Sequence, residues 1–309
     1  MRVSYLLFFV VIALGLAACT TPQGGVTVPN SPYQGGSQGL VLEIGDLGIF
    51  NDQTNTEEIF EGEPIPVEVT LKNKGEYEVQ PGEAAVDLLG IFQSDFSGLP
   101  AIRLSNTEAI EKVSEFNTEG GETRLAFTEG NGMVDQRQLG DASFRDLSIF
   151  TRYTTRYKTF ALVPKVCFKE DLQDESVCDV DEVKDVFSSG APIQVKRAEE
   201  SRAGTGLIAV EFEVENVGGG ESAVHGRAFD SRYNEFGFAV DPAAEASIWQ
   251  CTSRGRSDSA RFDANGKAQI RCRTITPLPE NALYTRQLGL TLDYDYRLIT
   301  HEQVRIINQ

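Results

Sequence analysis

Two stretches of this chain read alike. Ile65-Pro66-Val67-Glu68-Val69-Thr70-Leu71-Lys72-Asn73-Lys74-Gly75 and Ile208-Ala209-Val210-Glu211-Phe212-Glu213-Val214-Glu215-Asn216-Val217-Gly218 align without a gap, 143 residues apart. Apolar residues fall at every second position, which gives an extended strand one buried face and one wet face. Val67, Val69 and Leu71 are predicted to face one core, and Val210, Phe212 and Val214 another. Each stretch ends in Asn-x-Gly, a turn able to adopt positive φ. The repeat predicts two β units built on one plan.

Other strands are predicted at residues 83–92, 123–128, 159–168 and 290–297, with a last one around Val304 and Ile306. Short strands separated by turn residues fit two antiparallel sandwiches. A chain of 309 residues is long enough for two cores. The boundary is predicted at Ser188-Ser189-Gly190-Ala191-Pro192, dividing residues 39–190 from 191–309. Ser105-Asn106-Thr107-Glu108 matches a capping box, with Ile110, Val113 and Phe116 following, so residues 105–116 read as either a short helix or a strand. Asp181 to Phe187 reads as a turn of helix or a linker.

The strand-then-Asn-x-Gly pattern resembles the early strands of immunoglobulin-like modules in prokaryotic surface proteins, among which the CARDB-type adhesion-related domains are similar. The match spans roughly residues 40–80 and 193–225. It implies a mostly β fold with two tandem immunoglobulin-like sandwiches. The phrase Val69-Thr70-Leu71-Lys72-Asn73-Lys74-Gly75 also looks like uncharacterised archaeal envelope lipoproteins, a likeness that implies no activity.

The first eighteen residues carry Arg2 and then an uncharged apolar run from Tyr5 to Leu16, too short for a comfortable membrane span and of signal-peptide length. The run closes on Leu16-Ala17-Ala18-Cys19, which resembles the lipobox of prokaryotic lipoproteins. That resemblance implies cleavage after residue 18 and a lipid anchor on Cys19, placing the protein in the cell envelope on the extracytoplasmic side. Residues 19–38 follow without a charge and with many Pro and Gly, so they read as a tether. Such a tether reaches on the order of 25 Å.

Four cysteines remain: Cys167, Cys178, Cys251 and Cys272. An even number outside the cytosol points to disulfides, and of three connectivities the local pairs Cys167–Cys178 and Cys251–Cys272 are favoured. Asn265-Gly266 between the latter two is a hairpin signal. No Cys-x-x-Cys occurs and His225 and His301 lie far from the cysteines, so no zinc site or other cofactor is predicted.

Acidic residues outnumber basic ones 46 to 28, a balance of −18 that repels phosphate backbones and excludes nucleic acid as a partner. The same surface suits cationic or Ca²⁺-bridged partners. Glu170, Asp171, Asp174 and Glu175 could bind Ca²⁺ on a pinned loop, but they match no calcium-loop spacing and read first as a solvated face.

Gly35-Gly36-Ser37-Gln38-Gly39 has the spacing of a nucleophile elbow without the strand before it or the helix after it. Gly204-Thr205-Gly206-Leu207-Ile208-Ala209 has a dinucleotide-type spacing but opens a strand, so it reads as a turn. Neither His225 nor His301 has a neighbouring Ser, Cys or Asp arrangement that singles it out as a general base. Trp249, Tyr284, Tyr294 and Tyr296 read as core rather than as a ligand surface.

These readings converge on a non-catalytic surface protein, tied to the membrane by its lipid and presenting sandwiches for adhesion, recognition or envelope structure to a protein or cell-surface partner. The alternatives are an accessory binding subunit of a membrane complex and a hydrolase with a loop-built site. An exposed apolar patch on one sandwich favours the accessory role.

Overall fold

A computed structural model describes residues 31–171, 177–230 and 232–308. Among the described residues are twenty strands: β1 (Leu40–Ile44), β2 (Ile49–Asn51), β3 (Thr56–Phe60), β4 (Glu68–Asn73), β5 (Ala84–Leu89), β6 (Phe96–Ser97), β7 (Arg103–Ser105), β8 (Glu122–Ala126), β9 (Val134–Asp135), β10 (Phe144–Lys169), β11 (Glu182–Lys184), β12 (Phe187–Ser188), β13 (Ile193–Gly204), β14 (Leu207–Asn216), β15 (Glu221–Val224), β16 (Glu235–Asp241), β17 (Trp249–Thr252), β18 (Ser259–Arg261), β19 (Lys267–Thr274) and β20 (Leu283–Ile307). The fold is mostly β. A three-stranded sheet (β1-β4-β8) and a five-stranded sheet (β11-β13-β14-β19-β17) lie beside a ten-stranded sheet whose spine is β18-β16-β20-β10-β5-β7. The pairings are antiparallel apart from β3 with β20.

The sequence repeat is a repeat of topology. The order β1-β4-β8 recurs as β13-β14-β19, and β7-β5-β10 recurs as β18-β16-β20. Registers agree as well: Leu40 faces Asn73 in the first copy, and Ile193 faces Asn216 in the second. The copies join where β10 and β20, equivalent strands, pair antiparallel from Phe144↔Ile307 to Lys169↔Leu283. Tyr157 opposes Tyr294 and Thr155 opposes Tyr296, so the pairing is symmetric about Arg156↔Asp295. Each long strand therefore serves both copies. The passage at residues 188–192 leads from the first set of strands to the second, yet residues 32–309 form one compact unit.

The alternation seen in sequence is the alternation of burial. Val67, Val69 and Leu71 are sealed, as are Val210, Phe212 and Val214, and the intervening Glu68, Thr70, Lys72, Glu211, Glu213 and Glu215 are not. Opposite them stand Val86, Ile149, Tyr153 and Tyr157 in one copy and Phe236, Phe238, Leu290 and Leu292 in the other, all within one hydrophobic core.

The Asn-x-Gly turns close over tyrosines. Buried Asn73 donates from Nδ2 to the carbonyls of Tyr77 (2.7 Å) and Ile110 (3.2 Å). Its Oδ1 accepts from the Gly75 N–H (3.2 Å) and the Tyr157 hydroxyl (2.9 Å). Asn216 repeats the arrangement more thinly, donating to the Gly220 carbonyl (2.7 Å) and accepting from the Tyr296 hydroxyl at 3.3 Å. A Cβ on Gly75 would overlap the Tyr157 hydroxyl, and one on Gly218 the Tyr296 hydroxyl. Glycine is required here for close approach.

Several local expectations change. Residues 105–116 are not helical: after β7 the chain runs extended, and Ile110 pairs with Val79 in an isolated bridge. Ser105, the expected cap, lies in β7 opposite Ala85, and the Asn106 side chain bridges segments instead, its Oδ1 accepting from the Gly82 and Ala84 N–H groups and its Nδ2 donating to the Gln80 and Glu108 carbonyls. Residues 181–187 supply β11 and the start of β12 instead of a helical turn. The Asn265-Gly266 turn does not close a hairpin, since β18 pairs with β16 while β19 pairs with β14 and β17. The strands expected at 159–168 and 290–297 are parts of β10 and β20, and Val304 and Ile306 belong to β20 as well. The last residues of the expected tether are fastened. The Glu76 carboxylate accepts from the Gln34 and Gly35 N–H groups (2.9 Å each) and from the Gly190 N–H (2.6 Å), and Gln194 donates to the Gly36 carbonyl.

Candidate docking cleft

The two copies differ most between their first two core strands. Thirty-two residues separate Leu40 from Asn73, against twenty-two between Ile193 and Asn216. In the second copy β13 turns straight into β14 through Thr205-Gly206. In the first copy the ten extra residues leave the three-stranded sheet and form the β2–β3 ribbon, which crosses to the other sheet. There β3 runs parallel to the end of β20, from Val304↔Glu57 to Ile307↔Phe60.

Local chemistry fixes the ribbon. Its turn is made by Asn51, whose carbonyl accepts from the Asn55 N–H (2.8 Å) and whose Oδ1 accepts from Gln53 N–H (2.9 Å); Asn55 sits at φ 53°, a conformation Asn tolerates. Asn51 Nδ2 and the Thr54 hydroxyl donate to the Glu58 carboxylate at 2.7 and 2.8 Å. These donors hold the Glu58 carboxyl below its ordinary pKa, so it is anionic at neutral pH. The Leu47 N–H donates to Glu57 at 2.7 Å, which seats the fully buried Leu47 beneath the ribbon.

Between the ribbon and Glu63-Pro64-Ile65-Pro66 lies a cleft of about 900 Å³. Leu47, Ile59, Pro64, Pro66 and Ile307 contribute to its apolar lining. Ile49 is 81% exposed, Phe50 57% and Phe60 43%, which is unusual for three large apolar groups on one short ribbon. Phe144 continues the apolar surface, since it faces Ile307 across the β10–β20 ladder. Asp46, Asp52, Glu58 and Glu63 also line the cleft, and no Lys, Arg or His does. The nearby Arg305 is bound to Asp146 at 2.7 Å and stacked 4.2 Å over the Phe144 ring, and its charge also favours the anionic form of Glu58. The cleft is a wet apolar surface edged with negative charge.

The residues singled out from sequence lie elsewhere. Cys19 lies outside the described residues. Cys167 and Cys178 are disulfide-bonded (Cα–Cα 5.7 Å), pinning the end of β10 to the segment before β11. Cys251 and Cys272 are bonded across neighbouring strands β17 and β19 (Cα–Cα 3.9 Å). Asp174 and Glu175 of the acidic loop lie outside the described residues. Among the described residues no three His, Cys, Asp or Glu side chains are grouped to hold a metal.

His225 Nδ1 lies 2.8 Å from Asp295 on the exposed face of the sheet, while His301 stacks on Phe150 at 5.2 Å. The structure does not bring the histidines together: their rows on β20 are six residues apart, about 20 Å. Trp249, Tyr294 and Tyr296 are buried; Trp249 and the more exposed Tyr284 pack on Phe168. The Ser37 motif leads into β1, and the Gly204-Thr205-Gly206 motif is the β13–β14 turn.

The cleft itself had a signal in the sequence. Ile49-Phe50 and Ile59-Phe60 bracket eight polar residues, Asn51 to Glu58, that open with the turn-forming run Asn-Asp-Gln-Thr-Asn, which is the pattern of a short hairpin. No family model matches this chain, and no curated protein or solved structure matches it.

Proposed function

We propose that the protein is a non-catalytic lipoprotein of the cell envelope, held to the membrane through Cys19, that serves as the binding subunit of a membrane-associated assembly. The observation that carries this reading is the ribbon added to only one of two copies of the same plan. A sandwich needed merely as a spacer would have no use for ten extra residues that expose Ile49, Phe50 and Phe60. An exposed apolar patch of this kind marks an interaction surface. The two immunoglobulin-like copies act as the frame: their shared β10–β20 ladder fixes the ribbon to a rigid sheet. The two disulfides support an oxidising, extracytoplasmic compartment. The separation of His225 from His301, and the stacking of the latter on Phe150, favour binding over hydrolysis.

The test is recovery of the full-length protein from detergent-solubilised membranes, as wild type and as Ile49→Ser/Phe50→Ser. A single stoichiometric partner recovered with the wild type and lost with the variant is expected. Equal recovery with both, or no partner with either, overturns the reading. Mass spectrometry of the mature N-terminus checks the anchor, and an unmodified Cys19 thiol removes it.

A further inference from the structure

We infer that the ligand of the cleft is an extended, cationic polypeptide segment, its apolar side chains entering the cleft and its Lys or Arg residues meeting the rim. This deepens the docking reading above and rests on it. Charge chooses the ligand's sign. Four carboxylates line the cleft with no basic residue among them, and Arg305, whose charge reaches Glu58, is ion-paired with Asp146. Covering the cleft with a neutral apolar partner would desolvate these charges and bring no countercharge, although Glu58 keeps its Asn51 and Thr54 donors and Glu63 the Phe60 N–H, whereas a cationic segment pairs with them as it covers the floor. A second copy of this chain, with its −18 balance, would bring like charge to like. An anionic membrane surface meets the same repulsion.

Backbone geometry chooses the ligand's shape. β2 pairs with β3 on one side, and no strand among the described residues pairs with its other side. Its Ile49 and Phe50 are already exposed, so an incoming strand finds backbone groups and apolar side chains on the same edge. Strand addition at such an edge takes affinity from the main chain and selectivity from alternate side chains.

Isothermal calorimetry on the intact soluble form of the protein, with the N-terminal anchor omitted and residues 32–309 retained as the single compact unit, tests this. The probes are three acetylated nonapeptides: alternating Lys and Leu, alternating Glu and Leu, and alternating Lys and Ser. Binding of the Lys/Leu peptide at least tenfold tighter than either other is expected, because both charge and apolar contact are needed. Asp46→Asn/Asp52→Asn should weaken it about four- to ninefold, at two- to threefold per rim charge, and added salt should erase that difference. Ile49→Ser/Phe50→Ser should abolish it, with an unchanged melting temperature showing that the fold persists.

Equal binding of the Lys/Leu and Glu/Leu peptides overturns the cationic ligand while leaving docking at the cleft intact. Equal partner recovery by wild type and Ile49→Ser/Phe50→Ser in the membrane experiment, or no partner with either, overturns docking itself. Binding to phosphatidylglycerol vesicles that Ile49→Ser/Phe50→Ser removes, with no peptide binding, would make the ligand a lipid surface and overturn the inference.

Discussion

Asn73→Ala should cost far more stability than Asn216→Ala, although the two residues occupy the same place in the repeat. Asn73 is fully buried and makes four hydrogen bonds, with the Tyr77 and Ile110 carbonyls, the Gly75 N–H and the Tyr157 hydroxyl. Truncation leaves the Tyr157 hydroxyl without that acceptor at a position with no solvent exposure. At about 1 kcal/mol per bond, with the higher cost of stranded buried groups, the loss is roughly 3–5 kcal/mol. Asn216 makes two such bonds, one of them long at 3.3 Å. Each hydroxyl keeps a backbone N–H, Tyr157 that of Tyr77 and Tyr296 that of Gly220, so the contrast rests on the fewer and, toward Tyr296, longer bonds of Asn216, and Asn216→Ala should cost about 1–2 kcal/mol. Thermal unfolding followed by far-ultraviolet circular dichroism reads both on one unit. The expected drop in melting temperature is about 6–10 °C for Asn73→Ala and 2–4 °C for Asn216→Ala, at ~2 °C per kcal/mol for a unit of this size. Equal losses, or a larger loss at Asn216, would refute the claim that bond count and burial set the cost.

Two further outcomes follow from buried groups. Glu200 is buried against β10, accepts from the Cys167 N–H at 2.9 Å and meets Lys184 at 3.0 Å, with Glu182 also beside Lys184. Desolvation outweighs these partners and pushes its carboxyl up to about 7 from 4.5. The fold then prefers the protonated acid, so the stabilisation is full below the unfolded pKa, is lost as pH rises from about 4.5 to 7, and levels off above. Glu200→Gln mimics the protonated form, and its stability relative to wild type should rise by on the order of 3 kcal/mol across that window. A difference that stays constant with pH would contradict this. Opening the Cys251–Cys272 bridge by paired Ser substitutions should lower stability by about 3 kcal/mol for its 21-residue separation; an unchanged urea midpoint would show that the β17–β19 pairing alone holds that edge.

Much of the fold was legible because it is written at short range. The period of two in residues 65–75 and 208–218 declares a buried face before any partner strand is known, and the Asn-x-Gly ends declare a turn. Cysteine spacing pointed to local bridges for the same reason. The capping box at 105–108 misled because its cap, Ser105, is taken into the β7–β5 ladder opposite Ala85. The next residue, Asn106, satisfies the Gly82 and Ala84 N–H groups, which are distant in sequence. The Asn265-Gly266 turn misled similarly, since a turn specifies a reversal and not which strands will pair.

The chain by itself therefore determined that there would be two β units, which residues each would bury, and where the covalent staples would lie. Those are properties of neighbouring residues, set by alternation and by loop length. Only the tertiary structure decided that β10 and β20 would pair along their whole length and fuse the units, and that the ten extra residues of the first copy would cross to β20 and open a cleft. Strand pairing is made by backbone N–H and C=O groups that every residue carries, so the sequence does not name its partners.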